Sequence, residues 1–260
     1  MEKMNTSYDF YDLKNKFDKN GFFICKNVFS NKFISEILSE IEKANNTIKY
    51  LDNENILRRI EKLYDKGINL INLNKNISTI LKSVFEEDFL IFKDKFNAKP
   101  PGGEGFIAHY DGVFHFIDPD NNKKNGWYEY GNIFINALIA LDKCNEENGT
   151  IELSNSHKGT FNELLKNTKN NNTPAINKVI EDKTIFNLIN LDVGDIVIFS
   201  NTCPHRSKKN NSNFQRRTLY YTYTQSKNGS KYDQYFFDKE KSTNTSKAFS
   251  EKKNSSNSLV

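Results

Sequence analysis

Three cysteines, four histidines, one tryptophan and five prolines are all that 260 residues contain of the types that most often announce a special framework. Cys25, Cys144 and Cys203 are odd in number and lack the paired spacing of a zinc or redox motif. A disulfide scaffold and a thiolate metal site are therefore excluded in favour of reduced thiols. Long apolar runs are missing too. The stretch 133–141 is among the longest, contains Asn136, and is far short of the ~20 residues a membrane span needs. Charge of one sign is also lacking: 37 basic against 33 acidic residues leave a net +4, with the lysines spread along the chain. A solvated surface explains such a distribution, and no nucleic-acid patch stands out. The first residues, Met1-Glu2-Lys3-Met4-Asn5, form no apolar signal core, so a cytoplasmic location is expected. Aromatic residues are abundant. With 21 Phe and 12 Tyr, a chain only 37% hydrophobic can still fill a sizeable core.

The chain reads as a helical front and a stranded rear. A loose helical pattern covers 7–19, and 21–28 reads as a strand. Ser30 is placed to cap a helix whose apolar face is Phe33, Ile34, Ile37, Leu38 and Ile41. Further helices are expected near 55–65 and 76–86, the latter with Ile77, Ile80, Leu81, Val84 and Phe85 on one side. From Phe89 onward strands are expected at 89–97, 106–116, 132–141, 150–153, 184–190, 196–200 and 216–225. That many short strands separated by turn signals predicts a double-stranded β-helix, or jelly roll, of the cupin type. One domain over 1–240 is expected, with a helical layer at about 7–86 and a barrel core at about 89–225. The Asn-rich stretch 166–174 reads as an exposed loop, and the polar residues 241–260 as a disordered tail.

Two clusters carry chemistry. In His109-Tyr110-Asp111 the histidine and the aspartate lie two apart, so an extended segment projects both to the same side. His205 follows the turn and strand at 191–200, Leu-Asp-Val-Gly-Asp-Ile-Val-Ile-Phe-Ser, which delivers it just past a strand end. Two imidazoles and a carboxylate on one face of an octahedral ion are the ligand set of non-haem Fe(II) oxygenases. The pair Arg216-Arg217 opens a β-branched and aromatic run, and a guanidinium there suits the distal carboxylate of 2-oxoglutarate, which its planar fork binds bidentately. Neighbouring strand residues face opposite ways, so only one of these arginines can point inward.

The residues resemble the phytanoyl-CoA dioxygenase-like branch of the Fe(II)/2-oxoglutarate oxygenases from about Gly21 to Lys239. The likeness rests on Asn97-Ala98-Lys99-Pro100-Pro101-Gly102-Gly103 leading into His109-Tyr110-Asp111, on Leu141-Asp142 and on Glu147-Asn148-Gly149-Thr150-Ile151-Glu152. It continues through Asn155-Ser156-His157-Lys158, Gly194-Asp195 and the segment from His205 to Arg216. Ser154-Asn155 departs from the Pro-Gly common there. The resemblance implies a jelly roll with an N-terminal helical layer and iron held by His109, Asp111 and His205. It assigns the co-substrate carboxylate to Arg216, eleven residues after the distal histidine, with Ser207 on the same carboxylate and Asn97 nearby. Arg217 is then an outward charge. The implied reaction is hydroxylation coupled to conversion of 2-oxoglutarate and O2 to succinate and CO2. The carboxylate at Asp111 argues against halogenation, since halogenating relatives have a small residue there. A small, freely diffusing polar substrate is expected, amino- or phosphonate-bearing, with a monomer or homodimer and no nucleic-acid or membrane partner.

Other residues carry two readings each. His115, six after His109, shares its face if the strand is unbroken, lining a substrate pocket or sitting as a barrel-edge histidine. His157 reads as structural. Asn132 and Asn136 share parity amid apolar neighbours, so one of them is expected near substrate or co-substrate, because an inward amide needs a partner. Trp127, Tyr128 and Tyr130 read as aromatic packing or a lid over the metal. Gly102-Gly103-Glu104-Gly105 precedes no helix start and is not a phosphate loop. Two rivals remain. A cupin-like metalloprotein would keep the triad without needing Arg216, and a non-catalytic ligand-binding barrel would bind no iron.

Overall fold

The computed structural model describes residues 8–118 and 120–245. Helix α1 (Phe10–Asn20) starts where Asp9 accepts from the Asp12 N–H and stops at Gly21, whose φ of 81° closes the helix before β1 (Phe22–Cys25). Helix α2 (Asn31–Lys43) is capped by Ser30, which accepts from the Phe33 N–H, and buries Phe33, Ile34, Ile37 and Ile41. A hairpin of β2 (Ile48–Leu51) and β3 (Leu57–Glu61) leads to α3 (Ile68–Phe85), which buries Leu70, Leu73, Ile77, Ile80, Leu81 and Val84. The barrel follows with β4 (Phe89–Lys99), β5 (Phe106–His109), the short pair β6 (Phe116–Ile117) and β7 (Lys123–Lys124), β8 (Phe134–Ala140) and β9 (Ile151–Leu153). Short helices α4 (Phe161–Leu165) and α5 (Lys178–Glu181) precede β10 (Asn187–Leu188), β11 (Ile196–Ser200), β12 (His205–Ser207), β13 (Arg216–Gln225) and the last helix, α6 (Tyr232–Thr245).

Two sheets face each other. The larger runs β1-β11-β8-β13-β4-β3-β2 and the smaller β10-β9-β12-β5, with antiparallel pairing throughout. This is the jelly roll expected. Period-two alternation splits the larger sheet. Ile135, Ala137, Ile139, Ile196, Ile198, Leu219, Tyr221 and Tyr223 face the helices in one apolar cluster. Their neighbours Leu138, Ala140, Val197 and Phe199 face the smaller sheet in a second cluster. A register shift opposite Thr222/Tyr223 puts a bulge at Phe92, which joins Trp127 and Phe134 in a third.

Several expectations are corrected. Residues 55–65 form no helix; β3 occupies their middle and pairs with β4, so the larger sheet reaches into the expected helical layer. Leu57 and Ile60, three apart, match a helical face; in the strand a bulge at Arg58 brings both to the helix-facing side. The expected strand 106–116 ends at His109, because the chain turns through Gly112 at φ 76°. The strand expected from 132 starts at Phe134, and 184–190 contributes only Asn187–Leu188. Helix α6 runs through 241–245, where a disordered tail was expected; 246–260 lie outside the described residues. All three cysteines are free and buried, and no helix among the described residues is long and apolar enough to cross a membrane.

The turn before β11 is built on Gly194, at φ 84°, where a Cβ would lie 2.0 Å from the Phe29 carbonyl oxygen. Asp195 beside it accepts from the N–H groups of Asn27 and Asp192 and from Lys26 Nζ, tying β1 to the barrel. Gly194→Ala is expected to cost about 2 kcal/mol or more and lower Tm by about 5 °C or more, measured by thermal unfolding. An unchanged Tm would contradict this account of the turn.

Candidate metal centre and active site

His109 ends β5 and His205 begins β12, and the two are direct partners across the ladder, with ring centroids 4.0 Å apart. Asp111 lies beyond the end of β5. Its loop is fixed by Asn201, whose carbonyl accepts from the Asp111 N–H at 3.0 Å and whose Nδ2 donates to the Asp111 carbonyl at 3.1 Å. Ligating atoms of the three side chains lie within 4.8 Å of one another, and all three residues are buried. Among the described residues they form the one His/Cys/Asp/Glu cluster suited to an ion.

The donors fit a divalent metal. Nδ1 of His109 donates to the Ile107 carbonyl at 2.7 Å and Nδ1 of His205 to the Cys203 carbonyl at 3.0 Å, which leaves both Nε2 lone pairs free. Burial, reinforced by the facing His205, holds His109 well below the usual imidazole range; burial also lowers His205. Both are therefore neutral near pH 7, as ligation requires. Burial works against the Asp111 carboxylate, but His205, Lys95, His109 and Lys93 together hold its pKa down at about 2. Oδ2 of Asp111 accepts from Asn136 Nδ2 at 2.9 Å, and Oδ1 is buried without a partner. An unpartnered carboxylate oxygen beside two free imidazole nitrogens is an arrangement that a cation completes.

A small cavity of about 20 Å³ adjoins the two histidines, lined by Lys95, Asn97, Phe106, Ser207, Arg216 and Tyr220 among others. Arg216 is buried on the inner face of β13. Nη1 donates to Thr218 Oγ1 at 3.4 Å, while Nε is buried with no partner. Ser207 Oγ accepts from Lys99 Nζ at 2.8 Å and the Phe106 N–H at 3.3 Å, which leaves its own proton to donate. Asn97 Oδ1 accepts from Arg59 Nε at 3.3 Å. Arg217 points the other way and forms a two-pronged pair with Asp142 at 2.8 Å, the outward charge expected of it. A larger open groove of about 960 Å³, lined by Ser154, His157 and Lys183 among others, includes none of the three triad residues.

Comparison with known proteins follows the same line. The family model for phytanoyl-CoA dioxygenase matches residues 17–218. The chain belongs to the phytanoyl-CoA dioxygenase family. The enzyme class expected from the motifs, an iron- and 2-oxoglutarate-dependent dioxygenase, stands with that membership. A 2-aminoethylphosphonate dioxygenase from an uncultured bacterium (HF130_AEPn_1) is 27% identical over 90% of this chain and 88% of its own length. A methylphosphonate hydroxylase from Gimesia maris is 28% identical over 69% of this chain and 62% of its own. Among solved structures, EctD from S. alaskensis with 2-oxoglutarate and 5-hydroxyectoine superposes at a TM-score of 0.66, with 14% identity over 87% of this chain and 80% of that one. The epimerase SnoN from nogalamycin biosynthesis gives 0.64, at 13% identity over 84% and 83%. These two show the family's fold.

Within the phytanoyl-CoA dioxygenase frame the remaining candidates find their places. Asn136 donates to the Asp111 carboxylate, with its own Oδ1 accepting from Thr222 Oγ1 at 2.7 Å; Asn132 is exposed. His115 sits past the turn at Gly112, so strand parity does not place it on the ligand face. It packs 5.5 Å from the Phe161 ring. His157 pairs with the Tyr110 hydroxyl. Trp127 packs on Phe92 and Phe134, Tyr128 stacks near Phe161, and Tyr130 donates to Asp238. Sequence reading missed Lys93, Lys95 and Lys99, all buried on the inner face of β4. The signal was the alternation Lys93-x-Lys95-x-Asn97-x-Lys99, which normally marks a solvent-facing strand.

Asn136 holds Asp111 in register, so Asn136→Ala is expected to weaken Fe(II) binding about 10- to 100-fold, read by anaerobic metal titration. Unaltered affinity would remove Asn136 from the site's support.

Proposed function

We propose that His109, Asp111 and His205 hold Fe(II), that Arg216, Ser207 and Asn97 hold 2-oxoglutarate, and that the enzyme hydroxylates a small polar metabolite. The observation that carries this reading is that Asp111 Oδ1, beside the two histidines, and Arg216 Nε, on the cavity that adjoins them, are both buried without a partner. Each waits for a charge of the opposite sign. When bound, the iron supplies the O2 chemistry that couples oxidation of 2-oxoglutarate, to succinate and CO2, to hydroxylation of the substrate.

The chain's own residues position and exclude. Arg216 receives the distal carboxylate through its planar fork, and the Ser207 hydroxyl donates to the same group. Asn97, its oxygen engaged by Arg59, lines the same cavity and has its amide donor to offer. Lys95 and Tyr220 line the same cavity beside it. Phe92, Trp127 and Phe134 form a buried apolar cluster that helps keep water from the interior. The neutral histidines and ionised Asp111 need no proton release before the metal binds. A metalloprotein working without 2-oxoglutarate would have no use for a buried, half-partnered guanidinium at Arg216. The substrate class takes support from relatives named for 2-aminoethylphosphonate and methylphosphonate. The reading keeps a cytoplasmic monomer or homodimer with no nucleic-acid or membrane partner.

Arg216→Ala is expected to raise the KM for 2-oxoglutarate about 10- to 100-fold, the loss of a charged hydrogen-bond pair worth about 1.5–3 kcal/mol. Succinate formation against 2-oxoglutarate concentration measures it. Asp111→Ala should give no product while retaining the wild-type far-UV spectrum. Normal turnover in Asp111→Ala, or an unchanged KM in Arg216→Ala, would overturn the corresponding assignment.

A further inference from the structure

The interior of the barrel is unbalanced in charge. Arg59, Lys93, Lys95, Lys99 and Arg216 face it, each 7% exposed or less, against the carboxylates of Glu61 and Asp111. Most of these charges are accounted for. Glu61 is flanked by Arg59 and by Lys239 of α6. Lys99 Nζ donates to the carbonyls of Gly149 and Lys208 and to Ser207. Iron with Asp111, and Arg216, together match the two charges of 2-oxoglutarate. Lys93 and Lys95 are left over.

Neither has a counter-ion of its own. Lys93 Nζ lies 4.7 Å from the Trp127 ring centroid and 5.4 Å from that of Tyr235, and Lys95 Nζ lies 4.8 Å from that of Tyr220. Aromatic faces attract an ammonium but do not accept its hydrogen bonds as an oxygen does. Among the described residues neither Nζ forms a hydrogen bond or a salt bridge. Burying an ammonium this way is costly unless something pairs with it. The two are i and i+2 on β4, about 7 Å apart along the strand, and share its inner face. Burial pushes both lysines down, Lys95 to about 7, while Asp111 and Glu61 pull each back up, so an anion beside them would favour the charged forms.

Resting on the oxygenase reading above, we propose that Lys93 and Lys95 form the substrate's anion site, and that it takes a dianionic tetrahedral PO3 head. Two ammoniums on one strand face match two charges spread over three oxygens. A carboxylate or a sulfonate would leave one lysine unmatched. Trp127 and Tyr235 wall the site, and α6, held by Lys239 on Glu61 and by the Tyr130–Asp238 contact, closes it from outside.

The test is anaerobic isothermal titration of the full-length protein loaded with Fe(II) and 2-oxoglutarate. The probes are 2-aminoethylphosphonate, phosphoethanolamine, taurine and β-alanine, which share an aminoethyl arm and differ in the head. The proposal expects one or both PO3 compounds to bind at least 10-fold more tightly than taurine or β-alanine. A phosphonate source shows as preference for 2-aminoethylphosphonate, a phosphate ester as preference for phosphoethanolamine. Lys93→Gln should weaken the preferred probe about 10-fold or more, Lys93→Arg should restore part of it, and 2-oxoglutarate affinity should stay within about twofold in both. If 2-oxoglutarate binds normally but taurine or β-alanine binds as well as the PO3 compounds, or Lys93→Gln changes nothing, the anion site is refuted and the oxygenase reading survives. Failure of wild-type protein to bind 2-oxoglutarate overturns both.

Discussion

Charge held inside a β-sandwich is the constraint on which the rest of this structure depends. A carboxylate or an ammonium between two sheets is unfavourable unless a partner meets it. The scaffold therefore spends its outer layer on cohesion: the helix-facing side of the larger sheet is a continuous apolar cluster with α1, α2 and α3 packed on it. That packing leaves the inner face free to carry groups that contribute little to stability by themselves. His109, Asp111, Lys93, Lys95 and Arg216 are such groups, and the unpartnered atoms among them lie where ligands are expected.

Positioning follows from ladder geometry. Because His109 and His205 are opposed across β5 and β12, their rings converge without any long loop to order. Backbone carbonyls two residues before each histidine fix the tautomer, which makes the ligand atoms a property of the strands themselves. Asp111, two residues beyond the strand, has less backbone to hold it and is instead braced by Asn201 and Asn136. The centre is thus rigid on one side and supported by side chains on the other.

Much of this was legible in the sequence, for identifiable reasons. The opposite parity of Arg216 and Arg217 is a period-two statement that survives folding, and the turn and strand ahead of His205 fall where expected. His109 and Asp111 do converge, although the strand ends at His109 and a loop carries Asp111. The brace from Asn136 was half visible, since an inward amide on an apolar strand needs a partner, but which partner depended on register. Residues 57–61 were opaque because two apolar residues three apart read as a helical face, and only the bulge at Arg58 lets a strand bury both on one side. The lysines of β4 were hidden for a different reason. Alternating charge reads as solvent-facing, and only the sheet's placement between helices and barrel reveals that both faces are buried. His115 was misplaced by a single turn at Gly112.

The central claim is that the triad and its neighbouring arginine assemble a chelate of Fe(II) and 2-oxoglutarate. The most direct measurement is anaerobic addition of Fe(II) and then 2-oxoglutarate to purified apoprotein, watching for the visible metal-to-ligand charge-transfer band. The account predicts that the band appears in the wild-type protein and is absent in His109→Ala. Iron binding without the band would contradict it and favour a metal site that works without 2-oxoglutarate; no iron binding would leave a ligand-binding barrel.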